Sequence, residues 1–318
     1  MKLAICGLWH VHANDYYSVA KSFPDTVEIV GVYDPNAEWR RAFAERTGLR
    51  EFSTIEEMIE SGIDAASVCV STDTHADVMV RLADAGIDIF TEKVMALTSE
   101  ECERIAEAVK RNGVRFVISL PHKYMGHQRT AKRIVDSGEL GRINYFRYRN
   151  AHSGSTNNWL PEHFYNRQQC GGGAMIDLGA HGMYLTDWYL GMPAGARSVF
   201  TLASTNQQAV EKNSDGVEDN AVTVMYYGDG CIAINETGFV SNGYPILLEI
   251  GGECGRIYVS EGRVYKCVAP TYEYVEVEQE PSLPLPIAQF CTGEILEGCG
   301  IEEAKNLTRL MEMAYENA

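Results

Sequence analysis

No stretch of this chain approaches the roughly 18 to 20 uncharged apolar residues that a membrane span needs, so no membrane partner is expected. Basic residues are scarce: 27 Lys and Arg stand against 44 Asp and Glu, for a net charge of −17. A surface that negative repels phosphate backbones, which argues against a nucleic-acid partner. There is no C-x-x-C pair, and the nine cysteines are scattered and odd in number. That excludes a disulfide framework or zinc ribbon and fits reduced, packed thiols. The strand-like run begins at Lys2, so no secretory leader is expected and the compartment expected is the cytoplasm. Repeats and low-complexity tracts are missing as well. With 318 residues there is room for two domains of ordinary size.

The first 120 residues alternate short apolar runs with longer amphipathic ones. The runs 3–6, 27–34, 65–71, 87–93 and 114–120 read as strands apolar on both faces, as buried parallel strands are. Val78, Met79, Leu82 and Ala83 recur at helical spacing, and Thr98 with Glu101 forms a capping box for a helix ending at Gly113. The pattern predicts a parallel α/β domain over 1–121. Beyond it come a helix near 127–137, a strand at 143–151 and a polar stretch from His152 to Gln169. A helix with a glycine-rich entrance follows, then alternating strands over about 196–277 with a Gly-Asp-Gly turn. The Pro-rich run 280–286 reads as an ordered connection and 302–318 as an amphipathic helix, which can pack back on the first domain. The second domain, 122–318, is therefore expected to be α+β on a large, mostly antiparallel sheet.

Glycine is thin where a dinucleotide fold most uses it. A G-x-G-x-x-G loop should follow the first strand, yet only Gly7 is present, continuing into Leu8, Trp9, His10, Val11 and His12. An anion site needs backbone N–H groups at a helix start more than particular side chains, and His10 or His12 could add a donor. A rebuilt loop in which Trp9 merely packs is the alternative. Asp34 ends the second strand, 27 residues after Gly7, where an acid accepts ribose hydroxyls and repels a 2′-phosphate. NAD is thus favoured over NADP, unless Asp34 only opens its Asp-Pro-Asn turn. Glu92 and Lys93 fall at the carboxyl end of the fourth strand, the ligand edge of such a sheet; a lysine there can polarise a substrate hydroxyl. Asp177 and His181 lie four apart on one helix face, a carboxylate able to orient an imidazole for proton transfer, a metal half-site or a plain surface pair.

In this order the signals resemble the Gfo/Idh/MocA oxidoreductase family over almost the full length. The matching residues are Gly7, Asp34, the segment Ser71-Thr72-Asp73-Thr74-His75, Glu92-Lys93-Val94, and Gly171 to His181 with its D-x-G-x-H element. The resemblance implies a Rossmann domain and NAD bound by Gly7, Trp9, His10, His12, Asp34, Ser71, Thr72, His75, Glu92 and Lys93. It implies Lys93, Asp177 and His181 as catalytic residues, with His181 the general base, and a homodimer or homotetramer. Val94 and Asp73 stand where the family has prolines, which would alter turn geometry without removing Lys93. His122, Lys123 and Tyr124, and then His152, Asn157, Trp159, His163 and Tyr165, offer hydrogen-bonding groups and an aromatic face to a polyhydroxylated substrate. No metal is expected, since no ligand spacing in that histidine-rich stretch supports one. The activity expected is oxidation of a secondary alcohol of a sugar, inositol or related polyol. Transient oxidation that assists a cleavage, and a non-catalytic ligand-binding regulator, are the rival expectations.

Overall fold

The computed structural model describes residues 1–242 and 247–318. The chain divides into two compact units: Met1–Leu120 with Pro284–Thr308, and Pro121–Leu283 with Arg309–Ala318. The first break lies between Leu120 and Pro121. The return of 284–308 to the first unit depends on tertiary packing and has no local signature.

The first unit is built on six strands: β1 (Lys2–Cys6), β2 (Glu28–Tyr33), β3 (Arg50–Phe52), β4 (Ala65–Val68), β5 (Asp88–Thr91) and β6 (Phe116–Ile118). Their order is β3-β2-β1-β4-β5-β6 and every pairing is parallel. The order reverses between β1 and β4, and the carboxyl ends at such a switch point are where open α/β sheets bind ligands. Strands β1 and β4 are buried on both faces along nearly their whole length, which is why they read as unbroken apolar runs. Only β3 escaped the sequence reading: Arg-Glu-Phe at the sheet edge is too short and too charged to show a period. The helix Ser99–Asn112 carries the expected capping box at Thr98 and Glu101 and ends at Gly113 in the left-handed region.

The second unit has an eight-stranded sheet, β7 (Ile143–Ala151), β8 (Gly195–Thr201), β9 (Asn220–Tyr226), β10 (Ile232–Gly238), β11 (Leu247–Gly252), β12 (Gly255–Ser260), β13 (Arg263–Val268) and β14 (Tyr274–Val277). The order is β14-β13-β12-β11-β7-β10-β9-β8, antiparallel except for the central pair β7 and β10. Period two is plain in β7: Phe146, Tyr148 and Asn150 are buried, while Arg147 on the opposite face pairs with Glu236 at 2.9 Å and Glu249 at 3.3 Å. The Gly-Asp-Gly turn joins β9 to β10, with Gly230 at φ 88°. The stretch 280–283 is ordered by hydrogen bonds such as Leu283 N–H to the Tyr124 carbonyl, 2.9 Å.

Candidate functional site

In the first unit the residues after β1 turn sharply. Gly7 has φ 101°, and a Cβ there would lie 2.2 Å from the Val70 nitrogen. The loop that follows spends its amides within the protein. Gly7 N–H donates to the Tyr33 carbonyl (2.7 Å), Leu8 N–H to Asp34 Oδ2 (2.6 Å), and Trp9 and His10 N–H to the Cys69 carbonyl at 3.0 and 3.4 Å. His12 N–H reaches His10 Nδ1 at 3.2 Å. The loop is thus pinned to β2 and to the end of β4 with Trp9 buried, and the helix start expected to offer amides to an anion lies just beyond it. Phosphate donors can then come from the Val11 amide, from the first turn of the helix Ala13–Lys21 or from side chains.

Asp34 is buried. It braces this loop through Leu8 and its own turn through Asn36 N–H at 2.7 Å. Burial raises its pKa above the ordinary carboxylate value, and the two amides and Arg40 offset part of that rise. Each oxygen accepts one amide and keeps a further lone pair for a hydroxyl. Ser71 and the buried Thr72 open a 3-10 turn over Thr72–Thr74. His75 is a strut: Nδ1 faces the carbonyls of Val94 (3.1 Å) and Met95 (3.2 Å), and Nε2 that of Val70 (3.1 Å). Both ring nitrogens of this buried side chain face backbone carbonyls, and the single N–H of the neutral ring donates to one of them at a time, so the cofactor contact expected of it is replaced by an anchor to backbone at the sheet's carboxyl edge.

Glu92 and Lys93 follow β5, both buried, with Lys93 Nζ 3.8 Å from Glu92 Oε1. The Lys93–Val94 peptide is cis. Glu92 Oε2 meets His12 Nδ1 at 3.2 Å and accepts the Tyr16 hydroxyl, whose oxygen lies 2.8 Å from Ser119 Oγ. Burial alone would push the Glu92 carboxyl up, but His10, His12 and Lys93 outweigh it and hold the group well below the usual carboxylate range. It is an anion. Tyr16, raised by burial and then by that anion, keeps its proton.

In the second unit the glycine entrance has a packing cause. A Cβ on Gly173 would fall 2.0 Å from the Glu218 carbonyl and one on Gly172 1.9 Å from the Tyr315 hydroxyl. The buried Glu218 carboxylate takes the amides of Gly173 (2.9 Å) and Met175 (3.0 Å), an anion at a helix start. The expected single α-helix opens with a π-helical turn, Met175–Gly179, that carries Asp177, and continues as Ala180–Leu190 with His181. The partner seen at His181 Nδ1 is Tyr184 Oη, 2.9 Å away. Tyr184 Oη also accepts the His122 amide at 3.0 Å. His122 stacks on His181, centroids 4.1 Å apart, and its Nδ1 meets Tyr148 Oη at 2.7 Å. Burial raises Tyr148, so that phenol stays a donor. The negative charge of Asp177 acts on His152, whose basicity burial lowers.

His152 stacks on Phe239 at 4.9 Å with Trp159, largely exposed, beside it. Asn157 is also exposed and holds Asn242 at 3.0 Å. His163 lies against Phe164. Lys123 and Tyr124 are buried, Lys123 Nζ sitting 5.9 Å from the Tyr184 ring centre. Tyr165 belongs to the core with Leu160, Phe164 and Val217, its hydroxyl 2.8 Å from Ser155 Oγ. That is a structural post in place of the substrate contact expected. Tyr16, Ser119, Tyr148, Tyr184 and Glu218 were not singled out in the sequence. Tyr16 and Tyr184 stand four and three residues after His12 and His181, a helical spacing that could have flagged them.

A parallel nucleotide-binding sheet with a buried Glu-Lys pair at its carboxyl edge, followed by a large sheet unit with an oriented histidine, defines the class of dinucleotide-dependent oxidoreductases. The chain belongs to the Gfo/Idh/MocA family. Residues 1–120 match the domain described as "Oxidoreductase family, NAD-binding Rossmann fold", and residues 128–258 match the "GFO/IDH/MocA C-terminal domain". It is 26% identical to scyllo-inositol 2-dehydrogenase (NAD(+)) of Bacillus subtilis (strain 168), over 81% of this chain and 73% of that protein. It is 24% identical to myo-inositol 2-dehydrogenase of Thermotoga maritima, over 83% and 76%. Its fold is that of levoglucosan dehydrogenase in complex with NADH and levoglucosan, at TM-score 0.84 and 17% identity, covering 100% of this chain and 97% of that one. NAD is the cofactor of this class of domain. Among the described residues no helix is long and apolar enough to cross a membrane.

Proposed function

We propose that this protein oxidises a secondary alcohol of an inositol, sugar or related polyol, or reduces the matching ketone. The observation that carries the reading is His181: buried, with Nδ1 held by Tyr184 at 2.9 Å, so that Nε2 is its proton-exchanging atom. The Tyr184 oxygen takes the His122 amide on one lone pair and keeps another for a proton on His181 Nδ1. In that tautomer Nε2 takes the alcohol proton, and the imidazolium formed still donates through Nδ1. To Lys93 we assign the polarising of a substrate hydroxyl toward its alkoxide-like state. Glu92, 3.8 Å from Lys93, keeps the ammonium oriented. Asp177 orients the substrate. The chemistry that bound NAD⁺ would supply is that of hydride acceptor, with overall balance alcohol and NAD⁺ to ketone, NADH and one proton. The residues present fit that cofactor: an acid with spare acceptor capacity ends β2, and Glu92 and Lys93 close β5 at the ligand edge. Nine thiols outside any disulfide, eight of them buried, suit a reducing cytoplasm, and we read the assembly as a homo-oligomer by family resemblance.

The experiment is calorimetric titration with NAD⁺ and NADP⁺, followed by a screen of inositols and sugars for NADH formation, with Lys93→Ala alongside. NAD⁺ binding preferred over NADP⁺, NADH formed with a polyol, and turnover lost in a variant that still binds NAD⁺ are expected. Unchanged turnover in Lys93→Ala would overturn the assignment.

A further inference from the structure

The rebuilt loop after β1 brings together three side chains that the dehydrogenase reading does not need in combination. His10 and His12 come from the loop and Glu92 from the end of β5, 80 residues along the chain. One ligand atom from each lies within 4.8 Å of the others. Within the trio, His12 Nδ1 and Glu92 Oε2 are 3.2 Å apart. Two ligands at zinc-like bond lengths around a tetrahedral ion sit about 3.3 Å apart, so that pair already has the right separation.

We infer that His10, His12 and Glu92 form a binding site for a divalent transition cation of the zinc and cobalt class. Two imidazoles with one carboxylate are the donor set such ions prefer, whereas calcium and magnesium seek oxygen cages. The orientation of the carboxylate is set: Tyr16 donates to Oε2 and is itself backed by Ser119 at 2.8 Å. Supporting hydrogen bonds of that kind fix ligands at metal centres. His10 and Glu92 are buried, which gives rigid walls, and the His12 side chain is 39% exposed, which gives an entry path. Ligation by His10 through Nδ1 would displace the long hydrogen bond that the His12 amide donates to it at 3.2 Å. Three protein ligands leave one position open, as in sites where an outside group coordinates. The inference is independent of the dehydrogenase reading, because the ligands are counted without dinucleotide or turnover.

The test is titration of the cofactor-free, full-length protein with Co²⁺, read by calorimetry and by the visible absorption bands of the bound ion. Expected are one ion per chain at micromolar affinity, bands of a nitrogen-and-oxygen site of low coordination number, and displacement by Zn²⁺. His12→Ala and Glu92→Gln should each weaken binding by at least roughly tenfold, the scale on which even supporting partners of a ligand count, and Tyr16→Phe by about tenfold. Far-UV circular dichroism checks folding; if Glu92→Gln fails to fold, His12→Ala decides, since its side chain is the least enclosed of the three. Absence of visible bands, or equal affinity in wild type and His12→Ala, would overturn the site.

Discussion

Replacing Tyr184 by Phe removes one oxygen and little else. The ring stays in its buried slot, and the Lys123 ammonium, 5.9 Å from the ring centre, keeps its aromatic neighbour. What disappears is the partner of His181 Nδ1 at 2.9 Å and of the His122 amide at 3.0 Å. Leaving buried polar atoms without that oxygen costs about 1–3 kcal/mol, and each kcal/mol lowers the melting temperature of a unit this size by roughly 2–4 °C. The catalytic effect is separable from this. General-base transfer contributes about 10²–10⁴ in rate, and an imidazole free to rotate loses part of it, so kcat should fall roughly 10- to 100-fold. The KM should barely move, because the substrate hydroxyl does not touch Tyr184 in the proposed arrangement. Steady-state kinetics against pH, run below the variant's melting temperature, measure both. A folded Tyr184→Phe with unchanged kcat, or with the loss confined to KM, would refute the orienting role and leave His181 without its assigned task.

Gly7→Ala should unfold the first unit rather than merely weaken cofactor binding. At φ 101° the new methyl would meet the Val70 nitrogen at 2.2 Å and the Cys69 carbonyl carbon at 2.4 Å, backbone that cannot step aside. A destabilisation above about 4 kcal/mol is expected in urea titration, and wild-type stability with only NAD binding lost would contradict it. Stability should also fall as pH drops below about 6.5. Burial lowers the basicity of His75, while the carbonyls of Val70, Val94 and Met95 push the other way without prevailing. The unfolded chain then takes up a proton near the ordinary histidine value before the folded one does, and stability falls at up to about 1.4 kcal/mol per pH unit down to the folded value. Urea midpoints from pH 7 to 5, compared with His75→Asn, read this; a wild type no more acid-sensitive than the variant would show that the carbonyls win.

The amphipathic and apolar periods determined the elements. Five of the six parallel strands, the capped helix Ser99–Asn112, the full length of β7 and the hairpin at Gly230 were legible because each rests on contacts within a few residues or on one buried face. Position along the chain likewise singled out Lys93, Asp177 and His181 as candidates. Tertiary structure alone decided what those groups touch. That the amides of Leu8, Trp9 and His10 are taken by Cys69 and Asp34, 62 and 27 residues beyond Gly7, could not be read in advance, because sequence shows which amides exist but not where they point. His75 became a strut and Tyr165 a core post for the same reason: a polar side chain's role depends on the acceptor it finds once buried, and that acceptor comes from another part of the chain. The meeting of His10 and His12 with Glu92, and the return of 284–308 to the first unit, are likewise products of packing, which brings distant segments together without leaving a local pattern to read.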